Sequence, residues 1–571
     1  MDKMAKSTFL SLLILGSSVV GIQALSWSLC GTNLECATLD VPLEYGTNSP
    51  SSASANIALI RYNATVDYNQ RLGSLLVNPG GPGASGVSFV QAGAGSAIST
   101  LSGGFYDVIG WDPRGVGQTS PILECFSSAG AEYNFSSLFP GGPNLWLGMF
   151  SNSSYDFRVQ TAISNFDTSV AKLAEACISE DSPALYTSSA AYVARDMAAI
   201  VDALDGSEAK LNYWGFSYGT IYLTEFIQAF PTRVGRIVAD GVVNPKANAM
   251  TYKDQLPYDQ ASVRAALNDF ADFCAANSNN CPLAVPPSGV TTSLRERIDN
   301  LFENLFLEPI QQDGLSISLD IFNVFLWSFL RVPVTWAKVA SIIQGLEVRN
   351  ATLLVDLLQG QTTSYPADPN AAGVGTLSEY PLTCIDNAPS SSITLEDVII
   401  LTGSISVSED TPLLSAGLTP ISFCRNFPDT RPQIINAGVT LMEEVDAKLS
   451  ASNTTILIVN PNHDPITPLI SAMELNRLLP NSSKIAVRGG SGHTSVSVAS
   501  LSLAQTILDF FTSGIMPANE VYHNIDQEIF PAGSGVDIVS SATFNGTAYT
   551  ESEMKLLEAT YDVLLAFLAL A

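Results

Sequence analysis

Short apolar runs alternate with stretches of helical periodicity along this chain, and loops rich in Gly and Pro punctuate the exchange. Residues 73–77 (GSLLV) read as a buried strand that ends in the loop NPGGPGASG. Residues 106–110 (YDVIG) form a second such run, followed by WDPRGVGQTSP. The spacing over 192–204 predicts a helix, and 211–214 a short strand leading into YWGFSYGT. A helix over 220–230 and a strand over 234–242 follow. Toward the far end, 455–459 (TILIV) is a strand before NPNHDPITP, and 471–479 a helix. Residues 484–487 are a strand before RGGSGHTS, and 501–511 a helix.

Strands that alternate with helices predict an α/β fold, with a mostly parallel sheet covered by helices on both faces. Residues 246–450 break the rhythm with helical stretches, such as 318–348, and long loops rich in Ser, Pro and Thr. They are expected to form a large inserted cap domain. It separates a first core part at 25–245 from a second at 451–571, which carries a C-terminal tail. The apolar end of that tail is shorter than the roughly 10–20 residues of a lipid-anchor signal. It reads as part of an amphipathic helix from Glu551.

Composition then narrows the picture. The chain has 571 residues, 46% of them hydrophobic, enough for a core domain with an insertion. Its 26 Lys and Arg face 54 Asp and Glu, a net charge of −28. Such a surface repels nucleic acid and anionic membranes, so neither is expected as a partner. Lys3 and Lys6 precede an apolar run over 9–22 and small residues up to Ala24. This pattern predicts a signal peptide at 1–24 and a secreted protein. Sequons at Asn63, Asn134, Asn152, Asn350, Asn453, Asn481 and Asn545 are expected glycosylation sites in such a protein. The eight cysteines imply disulfides in that setting. Pairing neighbours in sequence order gives Cys30 with Cys36, Cys125 with Cys177, Cys274 with Cys281, and Cys384 with Cys424. No Cys/His cluster offers a zinc site, and no metal or cofactor is expected.

The candidate chemistry starts at Gly215-Phe216-Ser217-Tyr218-Gly219. A serine between two glycines, after a strand and before a helix, fits a turn that exposes the hydroxyl. Serine is a poor nucleophile and needs a base. The chain has only three histidines, His463, His493 and His523. His493 sits in a loop after a strand near the C-terminus, and Asp464 in a loop before it. Ser217, Asp464 and His493 keep the order nucleophile, acid, histidine. His463 reads as a loop neighbour of the acid, and His523 has no assigned role. An oxyanion hole would use the Tyr218 N–H and one from the loop after the earlier strand. Pro79 and Pro82 cannot donate, so Gly81 is the first choice there and Gly80 the second.

The motifs NPGGPGASG, GWDPRGVGQTSP, GFSYGTIY, VGRIVADGVVNP, DPITP and GHTS together resemble the tripeptidyl-aminopeptidase branch of the proline-iminopeptidase-like α/β-hydrolases. The resemblance runs from about Cys36 to Phe511 and is weak in the cap. It implies a secreted serine exopeptidase that removes short peptides or single residues from free N-termini. Asn244 stands where the family often has Asp. Asp112 and Arg114 match a family loop and are expected to form a structural ion pair. A substrate ammonium in a closed pocket needs a carboxylate. Glu379 and Asp386, around Cys384, are the candidates, with Glu225 a weaker one. A serine carboxypeptidase is a rival, but Phe216 stands where that family has the Glu that binds a terminal carboxylate. A secreted esterase or lipase on this fold is a second rival, because a triad does not choose between ester and amide. A binding protein on this fold is a third, against which the complete triad argues.

Overall fold

The computed structural model describes residues 25–45, 53–136, 143, 145, 149, 156–360, 368, 377–408, 418–428, 442–532, 543–545 and 548–570. The expected signal segment 1–24 and the sequon at Asn152 lie outside them. The strands are β1 (Ser28–Gly31), β2 (Leu34–Pro42), β3 (Ser54–Tyr62), β4 (Gly73–Asn78), β5 (Tyr106–Trp111) and β6 (Leu211–Phe216). They continue with β7 (Val234–Asp240), β8 (Ile310–Gln312), β9 (Leu315–Ile317), β10 (Ile456–His463), β11 (Ser483–Ser491) and β12 (Val521–His523). Ten of them make one sheet in the order β1-β2-β3-β5-β4-β6-β7-β10-β11-β12. The edge from β1 to β5 is antiparallel. From β5 to β12 every pairing is parallel.

The parallel part has apolar side chains on both faces because helices cover both. Helices Ala190–Asp205, Gly219–Ala229 and Leu469–Leu478 bury Met197, Leu223 and Leu475 against one face. Helices Gly95–Leu101, Leu501–Ser513 and Glu551–Leu568 bury Ile98, Ile507 and Val563 against the other. Parallel neighbours point their C-terminal ends the same way. The loops after β4, β6, β7, β10 and β11 therefore gather at one rim of the sheet, where open α/β sheets bind ligands.

Helical regions interrupt this core between β7 and β10. There Phe270, Leu301, Phe322, Trp336 and Ile343 pack into a core of their own, beside the β8–β9 hairpin. A further cluster joins Ile163, Val170 and Leu173 of helix Asp156–Ser179 to Leu382, Ile421 and Phe423. The helical stretch expected over 318–348 is two helices, Leu319–Leu330 and Trp336–Glu347. Pro333 lies between them and cannot extend the first.

Four disulfides join Cys30 to Cys36, Cys125 to Cys177, Cys274 to Cys281 and Cys384 to Cys424. The sequons at Asn63, Asn134, Asn350, Asn453, Asn481 and Asn545 are all exposed. Among the described residues no helix is long and apolar enough to cross a membrane.

One expected ion pair is absent. Arg114 turns away from Asp112 and pairs with Asp196 at 2.7 Å, inside helix Ala190–Asp205. Asp112 is already occupied by the Ser85 hydroxyl and the N–H groups of Val87 and Gln118. Local donors outcompeted the neighbour in sequence.

Candidate active site

Ser217 stands at the tip of β6 with φ 54°. That left-handed backbone is costly for a residue with a Cβ and marks the sharp strand-to-helix turn. The glycines around it answer to space. A Cβ on Gly215 would come 2.4 Å from the Tyr213 ring. A Cβ on Gly80 would come 2.6 Å from the Phe216 carbonyl and 2.7 Å from the Tyr218 nitrogen. The loop after β4 therefore lies directly on the serine turn, as the pairing of Asn78 with Gly215 requires.

That contact sorts the two loop donors. The Gly80 N–H is held by the Asn78 side chain at 2.9 Å. The Gly81 N–H and the Tyr218 N–H have no acceptor among the described residues.

Asp464 follows β10 and is fully buried. Its carboxylate accepts the N–H groups of Ile466 at 2.8 Å, Thr467 at 2.9 Å and Thr494 at 2.9 Å, and the Thr467 hydroxyl at 2.8 Å. His493 Nδ1 lies 3.0 Å from Asp464 Oδ2. A carboxylate only accepts, so this nitrogen donates. Burial pushes the Asp464 carboxyl up. The His493 charge and the converging donors outweigh that and hold it below the ordinary carboxylate value. The His493 N–H is anchored on the Arg331 carbonyl at 2.8 Å. Among the described residues His493 Nε2 has no hydrogen-bond partner.

Asp240, at the end of β7, joins the two halves. Its carbonyl accepts the Ser217 N–H at 2.9 Å. Its carboxylate accepts the Ser495 N–H at 2.6 Å, the Ser495 hydroxyl at 2.5 Å and Trp214 Nε1 at 3.3 Å. The serine turn and the histidine loop thus hang on one buried residue. Behind them the buried Arg488 donates to the Ser491 carbonyl and the Ser497 hydroxyl, fixing the loop on both sides of His493.

The helix Glu379–Asp386 lies across this site. A Cβ on Gly83 would come 3.0 Å from the Ser378 hydroxyl and 3.6 Å from the Glu379 nitrogen. Glu379 is exposed, and its backbone adjoins the loop after β4. Asp386, at the other end of the helix, is buried, with its two oxygens taken by the Ala190 N–H and the Tyr218 hydroxyl at 2.7 Å each. Glu225 is buried in the helix after the serine.

His463 is engaged elsewhere. Its Nδ1 lies 2.8 Å from Asp269 on helix Val263–Ala276, and its Nε2 2.9 Å from the Asn462 amide. His523 bonds the Ser502 hydroxyl on the far edge strand. Asp240, Asp269, Arg331 and Arg488 escaped the sequence reading. Asp240 had a signal, an acid inside an otherwise apolar predicted strand at 234–242. The others had none, because their partners lie far away in the chain.

The sequence profile described as the alpha/beta hydrolase fold matches residues 73–498. A tripeptidyl aminopeptidase of Streptomyces coelicolor is 31% identical over 273 residues, 46% of each chain, so the match spans less than half of that relative. A carboxylesterase B of Mycobacterium tuberculosis is 26% identical over 88% of this chain and 90% of its own. A serine protease of the same organism is 25% identical over 84% of this chain and 86% of its own.

Proposed function

This chain belongs to the alpha/beta hydrolase fold family; on that premise we propose that it is a serine hydrolase, and more narrowly a secreted aminopeptidase. It releases short peptides or single residues from free N-termini through an acyl-enzyme. What supports the chemistry is that the strained Ser217 turn and Ser495, two residues after His493, are both hydrogen-bonded to Asp240, while His493 bonds Asp464.

In this reading His493 Nε2 takes the Ser217 proton as Oγ attacks the scissile carbonyl. Asp464 keeps Nδ1 protonated and stabilises the imidazolium. The N–H groups of Tyr218 and Gly81 receive the developing oxyanion. His493 then protonates the leaving amine, and a water molecule repeats the sequence to release the acyl group.

The exopeptidase assignment rests on Glu379, an exposed carboxylate residue whose backbone adjoins Gly83 in the loop after β4. Asp386 is the poorer amine ligand because its oxygens are already bonded. We place the inserted cap at 246–450, where it bounds the substrate's N-terminal side. The four disulfides and the exposed sequons favour secretion. The carboxylesterase relative keeps an esterase in play.

One assay separates these readings. Free and N-acetylated peptide anilides are compared with a simple ester. An aminopeptidase cleaves the free peptide and spares the acetylated one. Equal cleavage of both, or cleavage of the ester alone, would overturn the reading. Glu379→Gln should raise KM for the free-amine peptide far more than for the ester.

A further inference from the structure

The loop from Ser491 to Ser497 carries His493, and a guanidinium stands inside its curve. Arg488 is fully buried. Its Nη1 donates to the Gly489 carbonyl at 2.7 Å, and its Nη2 to the Ser491 carbonyl at 2.8 Å and the Ser497 hydroxyl at 2.9 Å. The Ser497 hydroxyl in turn donates to the Thr494 carbonyl at 2.8 Å. These bonds grip the chain two residues before His493 and one residue after it. Three carboxylates hold the same loop. Asp464 accepts the Thr494 N–H, Asp240 the Ser495 N–H, and Asp269 the Ser491 hydroxyl at 2.6 Å.

Among the described residues three arginines are buried, Arg114, Arg297 and Arg488. Arg114 pairs with Asp196 at 2.7 Å, and Arg297 with Glu347 at 2.5 Å. Arg488 bonds only carbonyl and hydroxyl oxygens, and its Nε meets no acceptor among the described residues. A neutral amide donates to such oxygens too, so the bonds alone do not account for a charge. A buried cation without an adjacent anion is costly. Here its surroundings supply the reason. Burial draws the Arg488 pKa down to about 10, and the charges of Asp464, Asp240 and Asp269 oppose this. The guanidinium therefore stays charged at neutral pH, and a fixed cation near an imidazole opposes its protonation.

We propose that Arg488 is a positioning residue for the base: it clamps the loop on both sides of His493, and its charge keeps the imidazole free to accept the Ser217 proton at a lower pH than the surrounding acids alone would allow. This rests on the reading of Ser217 and His493 as nucleophile and base. The other charged or titratable groups around the loop come from five elements. They are His463 and Asp464 at the end of β10, Asp240 on β7 and Asp269 on helix Val263–Ala276. His523 stands opposite Arg488 on β12, and the Arg331 carbonyl bonds the His493 N–H. The three acids favour the imidazolium, and Arg488 is the buried cation that opposes them.

The pH dependence of fluorophosphonate labelling at Ser217, measured on the full chain, tests this. Labelling falls in acid as the base is protonated, and the midpoint of that fall is the readout. Arg488→Met should move the midpoint up by about one pH unit, the scale of a single charge acting across a buried loop. Arg488→Lys keeps the charge but not the grip on both sides, so the plateau rate should fall about tenfold with the midpoint within about 0.3 pH unit of the parent. Ser497→Ala removes one acceptor and leaves the charge, so it should cost about threefold in plateau rate and leave the midpoint in place. A purely structural role lowers the melting temperature and the plateau and moves no midpoint. That result in folded Arg488→Met would overturn the proposal, as would a midpoint raised by a full unit in Arg488→Lys, the variant that decides if Arg488→Met does not fold. Failure of the nucleophile-and-base reading shows separately, as a parent protein that takes no label at Ser217.

Discussion

Two histidine–aspartate pairs stand at the same rim of the sheet, and one peptide bond links them, since His463 and Asp464 are neighbours. By distance the second pair is the shorter, 2.8 Å from His463 to Asp269 against 3.0 Å from His493 to Asp464. The surroundings separate them. Asp464 is sealed from water and fixed by four further donors from its own rim loops. Asp269 is partly exposed on an inserted helix and takes one further donor, the Ser491 hydroxyl. Among the described residues His493 Nε2 is unengaged, whereas both nitrogens of His463 are occupied. A base needs a fixed acid behind it and a free nitrogen in front, and the contact alone supplies neither. The first pair meets both conditions. The second ties the inserted helices to the core.

The largest effect should come from removing the first pair's chemistry. Ser217→Ala or Asp464→Asn should lower kcat by about 10⁴-fold with the fold retained, and combining Ser217→Ala with His493→Ala should add little. The matching change in the second pair, Asp269→Asn, should cost less than about threefold in kcat and instead lower the melting temperature, since it removes a tie worth about 1 kcal/mol. Steady-state kinetics with thermal melts on the same variants decide this. Equal kinetic losses at Asp464 and Asp269 would erase the distinction.

A smaller effect separates the ionised acid from its buried neighbours. Burial pushes Asp386 up to about 7 and Asp240 up to about 6, from an ordinary 3.8. An acid raised in the folded state costs nothing below its unfolded value, and its penalty grows as pH rises toward the folded one. Stability should therefore fall between about pH 4 and pH 7. Asp464, held low, acts oppositely and only in more acid solution. The melting temperature should be lower at pH 7.5 than at pH 5, with a shallower slope in Asp386→Asn. A melting temperature that rises over this range would contradict the assignment.

Much of this was legible in the sequence because it is local. The strands from Gly73 to Ser491 lie between Gly/Pro loops, and the serine turn sits where strand meets helix. Ser217, Asp464 and His493 were nominated from chain order, since a chain with three histidines leaves few choices, and the contact between Asp464 and His493 is there. The antiparallel edge β1–β3 was not read, because Leu34–Pro42 is half exposed and lacks a buried strand's apolar run. Asp240 bonds Ser495, and Asp269 bonds His463, across some two hundred residues, which no local pattern records. Arg114 failed for the same reason, its partner being a helix away rather than two residues away.

The central claim is that His493, and not His463, activates Ser217. Intact-mass measurement of labelling by a fluorophosphonate tests it directly, because the probe reports the serine's reactivity without any choice of substrate. The parent protein should take one label, and Ser217→Ala none. His463→Gln should label within about threefold of the parent rate, and His493→Gln at least a hundredfold more slowly, the contribution of a general base being about 10²–10⁴. Rapid labelling of His493→Gln, together with loss of labelling in His463→Gln, would contradict the account.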